Sequence, residues 1–154
     1  GTAGFDGAKL SYECTNLVRI YECMEGTLKR KDLVYPELSY EVVGILFDVY
    51  NELGYGYSEK HYQRAMAESL RKRFIPFKEQ VYVPLRFQGE IISKFFCDFV
   101  IDDKIIIELK REGRFSRQYV GQVNNYLKSS GVKLAILVNF GKDGVKIMRL
   151  VNAY

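Results

Sequence analysis

With one histidine and three cysteines, this chain is poorly equipped for the commonest protein metal sites. Cys14, Cys23 and Cys97 are odd in number and show no CxxC spacing, and His61 has no second imidazole to join it. A zinc site would therefore need unusual ligands. Buried or idle thiols in a reducing compartment are the better reading, which sets the expectation of a cytoplasmic protein. Long apolar runs are missing too. The longest candidate, Val42 to Leu46, is broken by Asp48 and Asn51, well short of the roughly 20 residues that span a bilayer, so no membrane is expected as a partner. The first residues lack the basic start and apolar block of a signal peptide. Tryptophan is absent, and neither an internal repeat nor a low-complexity segment is present. The net charge of +4 permits an anionic partner without demanding one.

What remains is the composition of one ordinary domain: 154 residues, 47% apolar and 27% charged, enough for a full core. Residues 1–34 read as an N-terminal extension, polar and glycine-containing, with a short helix over Leu17 to Glu25 as its one candidate element. The pattern sharpens in 35–154. Leu38, Val42, Val43, Leu46, Phe47 and Tyr50 recur at helical spacing until Leu53-Gly54 stops the run. Ser58 is placed to cap a second helix through about Arg73, with Tyr62, Ala65, Met66 and Leu70 on its apolar face. Strands are predicted over Gln80 to Phe87, where Pro84 argues for a sheet edge, over Ile91 to Ile101 and over Lys104 to Lys110. A helix over Ser116 to Ser129 is closed by Gly131. Leu134 to Phe140 suits a buried strand, and Val145 to Val151 a last one.

The chemistry concentrates between Cys97 and Lys110, where Asp98 sits on one apolar strand and Glu108-Leu109-Lys110 on the next. If only Asp102 and Asp103 formed the loop, position 98 would pair with 107 and Glu108 would face away from Asp98. A three-residue loop or a bulge pairs 98 with 108 instead, and the functional reading requires that register. The two Cβ atoms then lie about 5 Å apart. Without a cation, charges at that separation repel by roughly 3 kcal/mol at an effective dielectric of about 20. With magnesium they become ligands, and Lys110, on the same face as Glu108, can reach an attacking water. Taken alone, Glu-x-Lys at a strand end is common on solvated faces. The leading Ile105-Ile106-Ile107 and the neighbouring Asp98 change those odds.

Gly56-Tyr57-Ser58-Glu59-Lys60-His61-Tyr62 resembles the signature of the GxxExxY protein family, within the PD-(D/E)XK nuclease superfamily. Asn51-Glu52-Leu53-Gly54-Tyr55-Gly56 is similar to the helix and LGxG turn of that family. Asp98 and Glu108-Leu109-Lys110 resemble the superfamily's acidic residue and ExK. Gln122-Val123-Asn124-Asn125-Tyr126-Leu127 resembles its QxxxY element, and Val138-Asn139-Phe140 and Arg149-Leu150-Val151-Asn152 are also similar. The match runs from about Leu38 to Asn152. It implies an α/β (α+β) restriction-endonuclease-like core, α-β-β-β-α-β, with a central mixed sheet flanked by helices, and Mg2+- or Mn2+-dependent hydrolysis of phosphodiester bonds, with DNA the expected substrate.

By that resemblance Asp98, Glu108 and the Leu109 backbone carbonyl hold the metal, and Lys110 orients the water and stabilises developing charge. Glu59 either adds a carboxylate or is an ordinary first-turn acid that favours the helix dipole. Gln122 and Tyr126, on one helix face, either border the active site or serve as solvated and core residues. The resemblance also allows a homodimer, since one site cuts one strand, although no interface is legible. Two positions depart from the pattern: Tyr119 stands where many relatives have His, and Gln63 where Glu is usual. Neither is expected to touch the metal ligands. His61, at a variable position, is read as non-catalytic.

Lys110, Arg111, Arg114 and Arg117 crowd the strand exit and the next helix start, where they could neutralise phosphates. Phe115 among them either stacks on a base or is tucked under the helix as core. The alternatives to a nuclease are a catalytically silent nucleic-acid-binding module and a protein-interaction domain on the same fold.

Overall fold

The computed structural model describes residues 18–23, 34–111 and 115–152, the first of these by backbone alone. Helix α1 spans Pro36–Leu53 and begins with proline, whose fixed φ suits a first helical turn. It buries Val42, Val43, Ile45, Leu46 and Val49, then stops at Gly54, which adopts φ 76° while its N–H donates to the Tyr50 carbonyl. Helix α2 spans Glu59–Lys72 and buries Tyr62, Met66, Ala67 and Leu70. Ser58 stands at its N-cap without a side-chain capping bond; its hydroxyl instead meets His61 Nδ1 at 2.7 Å.

Strands β2 (Phe77–Phe87), β3 (Glu90–Ile101) and β4 (Ile105–Arg111) follow as a meander. Helix α3 spans Arg117–Ser130; the Ser116 hydroxyl caps it by accepting the Tyr119 N–H, and Gly131 ends it at φ 74°. Strands β5 (Leu134–Gly141) and β6 (Gly144–Asn152) close the described chain. Asn152 ties the two layers together, its side-chain amide donating to the carbonyls of Leu127 and Val132.

The helix expected over Leu17 to Glu25 is not what forms there. Val18–Cys23 is a strand, β1, antiparallel to β6 with Val18 opposite Asn152. Val18, Ile20 and Tyr21 are strand formers, and in so short a segment the neighbouring ladder decides the conformation. The rest of residues 1–33 lies outside the described residues.

The six strands form one sheet in the order β1-β6-β5-β4-β3-β2. Only the β4–β5 pair is parallel. Helices α1 and α2 cover one face, over Phe99, Ile101, Ile105, Ile107 and Leu109. Helix α3 covers the other, over Val100, Ile106, Ala135 and Leu137. Burial on both faces explains why β4 and β5 read as unbroken apolar runs rather than as alternation. Pro84 lies on the outermost strand, the sheet position its missing N–H pointed to.

Two features of this sheet set the site. The β3–β4 turn is three residues long, with Ile101 opposite Ile105 and Phe99 opposite Ile107. Asp102 and Asp103 take the left-handed conformation there, at φ 50° and 54°, which short acidic side chains tolerate. In addition, β4 pairs with β3 only as far as Phe99, so Glu90 to Cys97 of β3 pairs with β2 alone. The β2–β3 hairpin therefore continues past the sheet as a two-stranded ribbon.

Candidate active site

The three-residue turn carries the ladder outward in the register that sets position 98 against 108, as the functional reading required. At that point side chains replace ladder bonds. Glu108 Oε1 accepts the Asp98 N–H at 2.9 Å, and Asp98 Oδ2 accepts the Leu109 N–H at 2.7 Å. The strands part here with no backbone donor left bare. In an extended strand a residue's N–H and C=O lie on the same edge, so the Leu109 carbonyl also faces β3.

Glu108 is buried, at 4% exposure. Burial, followed by the charge of Asp98, pushes its carboxyl up to about 8. Burial also raises Asp98, against the pull of the hydrogen bonds from Leu109 and Gln80. These two acids hold protons more tightly than free carboxylates do, and a nearby cation would reverse that. Cys97, beside them in the core, is pushed up to about 12 by burial and then by the charge of Glu108. Its thiol is accordingly inert, as the cysteine reading expects.

Helix α3 sends one residue to the carboxylates: the Tyr119 hydroxyl donates to Glu108 Oε2. The same ring carries Lys110, whose Nζ lies 4.8 Å from the ring centroid. Tyr119 thus touches both halves of the Glu-x-Lys pair. Helix α2 contributes Glu59, whose Oε1 accepts the Arg111 N–H at 3.2 Å, and Gln63, which binds Gln80 Nε2 at 3.1 Å. Gln80 in turn donates to Asp98 at 3.3 Å. Asp98, Glu59, Lys60, Gln63, Arg64 and Arg111 line an open cleft of about 980 Å³ on this side of the sheet.

The expectation that Tyr119 does not touch the metal ligands is corrected, whereas Gln63 makes no direct contact with them. Tyr119 binds Glu108 directly, and Gln63 reaches Asp98 through one intervening side chain. The sequence carried no signal for Tyr119, because which turn of α3 meets Glu108 is set by how the helix packs on the sheet.

Gln122 and Tyr126 are not brought to the carboxylates. They share a helix face with Tyr119 but lie progressively further along the axis, at about 1.5 Å per residue. They line a second recess, of about 290 Å³, beneath Val83, Leu85 and Phe95 of the ribbon. Tyr126 packs there against the core, which matches the blander alternative for this pair.

Phe115 is likewise core rather than a base-stacking ring. It is 8% exposed and lies stacked on Tyr119 at 6.1 Å, so it leaves the nucleic-acid-binding set. Arg111 and Arg117 are exposed, one in the cleft and one at the start of α3. Arg114 lies outside the described residues. Tyr62 of the GxxExxY signature is fully buried, stacked on Phe140 at 4.3 Å, and its hydroxyl donates to the Gly54 carbonyl at 2.6 Å. Its place is structural.

Among the described residues, no group of three or more His, Cys, Asp or Glu side chains is arranged to hold a metal ion. The two-carboxylate set of Asp98 and Glu108 with the Leu109 carbonyl is nonetheless all oxygen, which fits a hard divalent cation. No described helix is long and apolar enough to cross a membrane.

An α+β fold of this layout, with an acid on one strand and Glu-x-Lys on the next, defines a restriction-endonuclease-like domain. The model of the PD-(D/E)XK nuclease superfamily matches residues 36–150, and the chain belongs to that superfamily. No curated protein matches the chain. Among solved structures it is similar to one described as "Crystal structure of SSO0001", at 13% identity and a TM-score of 0.42 over 77% of this chain and 78% of that one. A likeness that slight bears no argument.

Proposed function

We propose that this protein is a metal-dependent nuclease of the GxxExxY group that hydrolyses phosphodiester bonds in DNA. The observation that carries the reading is the pairing of Asp98 with Glu108, cross-bonded through each other's strands, with Asp98 open to the cleft and Lys110 joined to Glu108 through Tyr119. Gly56, Glu59 and Tyr62 support the narrower family.

Asp98, Glu108 and the Leu109 carbonyl would hold one magnesium or manganese ion, with Glu59 at the rim. That ion, when bound, supplies Lewis-acid polarisation of the scissile phosphate and a more acidic water. Lys110 places its ammonium beside the attacking water and offsets charge developing on the phosphoryl oxygens. Tyr119 holds Glu108 and Lys110 in one orientation. Arg111 and Arg117 meet flanking phosphates.

A catalytically silent nucleic-acid-binding module is the second reading. It is favoured by the bonds that Asp98 and Glu108 already accept from within the protein. The test is cleavage of labelled single- and double-stranded DNA and RNA with Mg2+, Mn2+ or EDTA, beside Glu108→Ala. Metal-dependent cutting lost in the variant supports the nuclease. Salt-sensitive binding without cutting in any metal supports the silent module.

A further inference from the structure

The β2–β3 ribbon beyond Asp98 has two unlike faces. Val83 and Cys97, with Val81 and Phe95, pack on the α3 side. Alternation turns Tyr82, Lys94 and Phe96 to the other side, on which α2 and the cleft lie. Tyr82 and Phe96 stand directly opposite each other, with ring centroids 5.6 Å apart. Their exposures, 41% and 48%, and the 61% of neighbouring Ile92 are large for apolar residues of a folded sheet. Phe96 is two residues from Asp98 on the same strand, a step of roughly 7 Å.

We propose that this aromatic pair is a stacking platform for unpaired bases, and that the substrate of the site is a single strand or a single-stranded segment of DNA. The inference rests on the nuclease reading above and names its substrate class. Three observations select a nucleic-acid strand as occupant. The apolar face adjoins the cleft that holds Asp98. Lys94, on that face, and Lys60, Arg64 and Arg111 in the cleft are cations without a salt-bridge partner among the described residues. Backbone phosphates would satisfy these charges while bases lie on the rings, the combination that single-strand binders use. In a duplex the bases are already stacked on one another, so a pair of rings on a protruding ribbon has no base face to meet.

The test is fluorescence anisotropy in EDTA with a short fluorescein-labelled oligothymidylate and a blunt duplex of matched length. It compares the full chain with Tyr82→Ala, Phe96→Ala, Tyr82→Leu and Phe96→Trp. Both side chains are half-exposed, so each variant folds with a melting temperature near wild type, checked by circular dichroism. Each Ala variant is expected to weaken oligothymidylate binding about 10-fold, with duplex binding little changed. Tyr82→Leu, which keeps apolar area but no π face, follows the Ala variants, and Phe96→Trp keeps or improves binding.

Wild-type affinity in both Ala variants, or equal loss on duplex and single strand, overturns the platform. A fall in solution mass in the Ala variants by light scattering also overturns it, because it assigns the face to a second copy of this chain. Cleavage of the same oligonucleotide with Mn2+ by wild type but not Glu108→Ala is scored separately. Failure there sinks the nuclease reading, whereas failure of the aromatic variants alone sinks only the platform.

Discussion

Asp98 and Glu108 exchange support across two strands: Glu108 accepts the backbone N–H of Asp98, and Asp98 accepts the N–H of Leu109, the residue next to Glu108. Each acid thus fixes the strand that carries the other. The arrangement places two carboxyl groups side by side without a third acid in contact among the described residues, and it makes their structural and chemical roles separable by substitution.

Asp98→Asn keeps an oxygen for the Leu109 N–H, whereas Asp98→Ala leaves that donor without its partner, at about 1–3 kcal/mol. Both variants lose cleavage by about 100-fold or more. Only the Ala variant melts several degrees lower than wild type, by roughly 2–4 °C per kcal/mol for a chain of this size. Equal melting temperatures for the two would show that the bond does not support the fold.

Glu108 makes the metal-free protein more stable in acid. Its folded carboxyl titrates at about 8 against an ordinary 4.5, so the folded state binds the proton more tightly. The stabilisation is full below 4.5 and is lost as pH rises through about 8. In EDTA, the Glu108 contribution raises the melting temperature at pH 5.5 relative to pH 8.5, and Glu108→Gln flattens that slope. Added Mn2+ reverses part of it, raising the melting temperature more at pH 8.5, because the ligand must ionise to bind. A slope unchanged in Glu108→Gln would rule out this carboxyl as its source.

Tyr119→Phe removes the hydroxyl that binds Glu108 while keeping the ring against Phe95, Phe115 and Lys110. Loss of an orienting partner of this kind lowers metal affinity about 10–100-fold. Mn2+ titration followed by calorimetry reads this without turnover. The melting temperature stays near wild type, whereas Tyr119→Ala lowers it by opening a gap in the core.

Tyr62→Phe deletes one hydrogen bond to Gly54 and keeps the stack on Phe140. The expected cost is about 1 kcal/mol of stability, with cleavage unchanged at a temperature where the variant is folded. A specific activity lowered 10-fold or more would return this signature residue to the site.

Sequence reading located α1, α2, α3 and every strand from β2 to β6 to within a few residues. Their signals are local: Gly54 and Gly131 as stops, and apolar runs for strands buried on both faces. The 98–108 register was reached only by requiring the two acids to meet, since the residues alone left a two-residue turn equally open. β1 was not legible, since six residues without a partner carry no period of their own. Nor was the choice among Tyr119, Gln122 and Tyr126, which share one face of α3 and differ only in how far each stands along the helix from Glu108.

By itself, then, the sequence determined the order of elements from α1 to β6, because stops, turns and strand periods act over a few residues. Tertiary structure alone decided that Tyr119 supports the acids and that Phe115 is buried. It also decided that the ribbon leaves Tyr82 and Phe96 exposed. Those outcomes depend on where α3 crosses the sheet and on where β4 stops pairing with β3, and both are set by packing between residues distant in the chain.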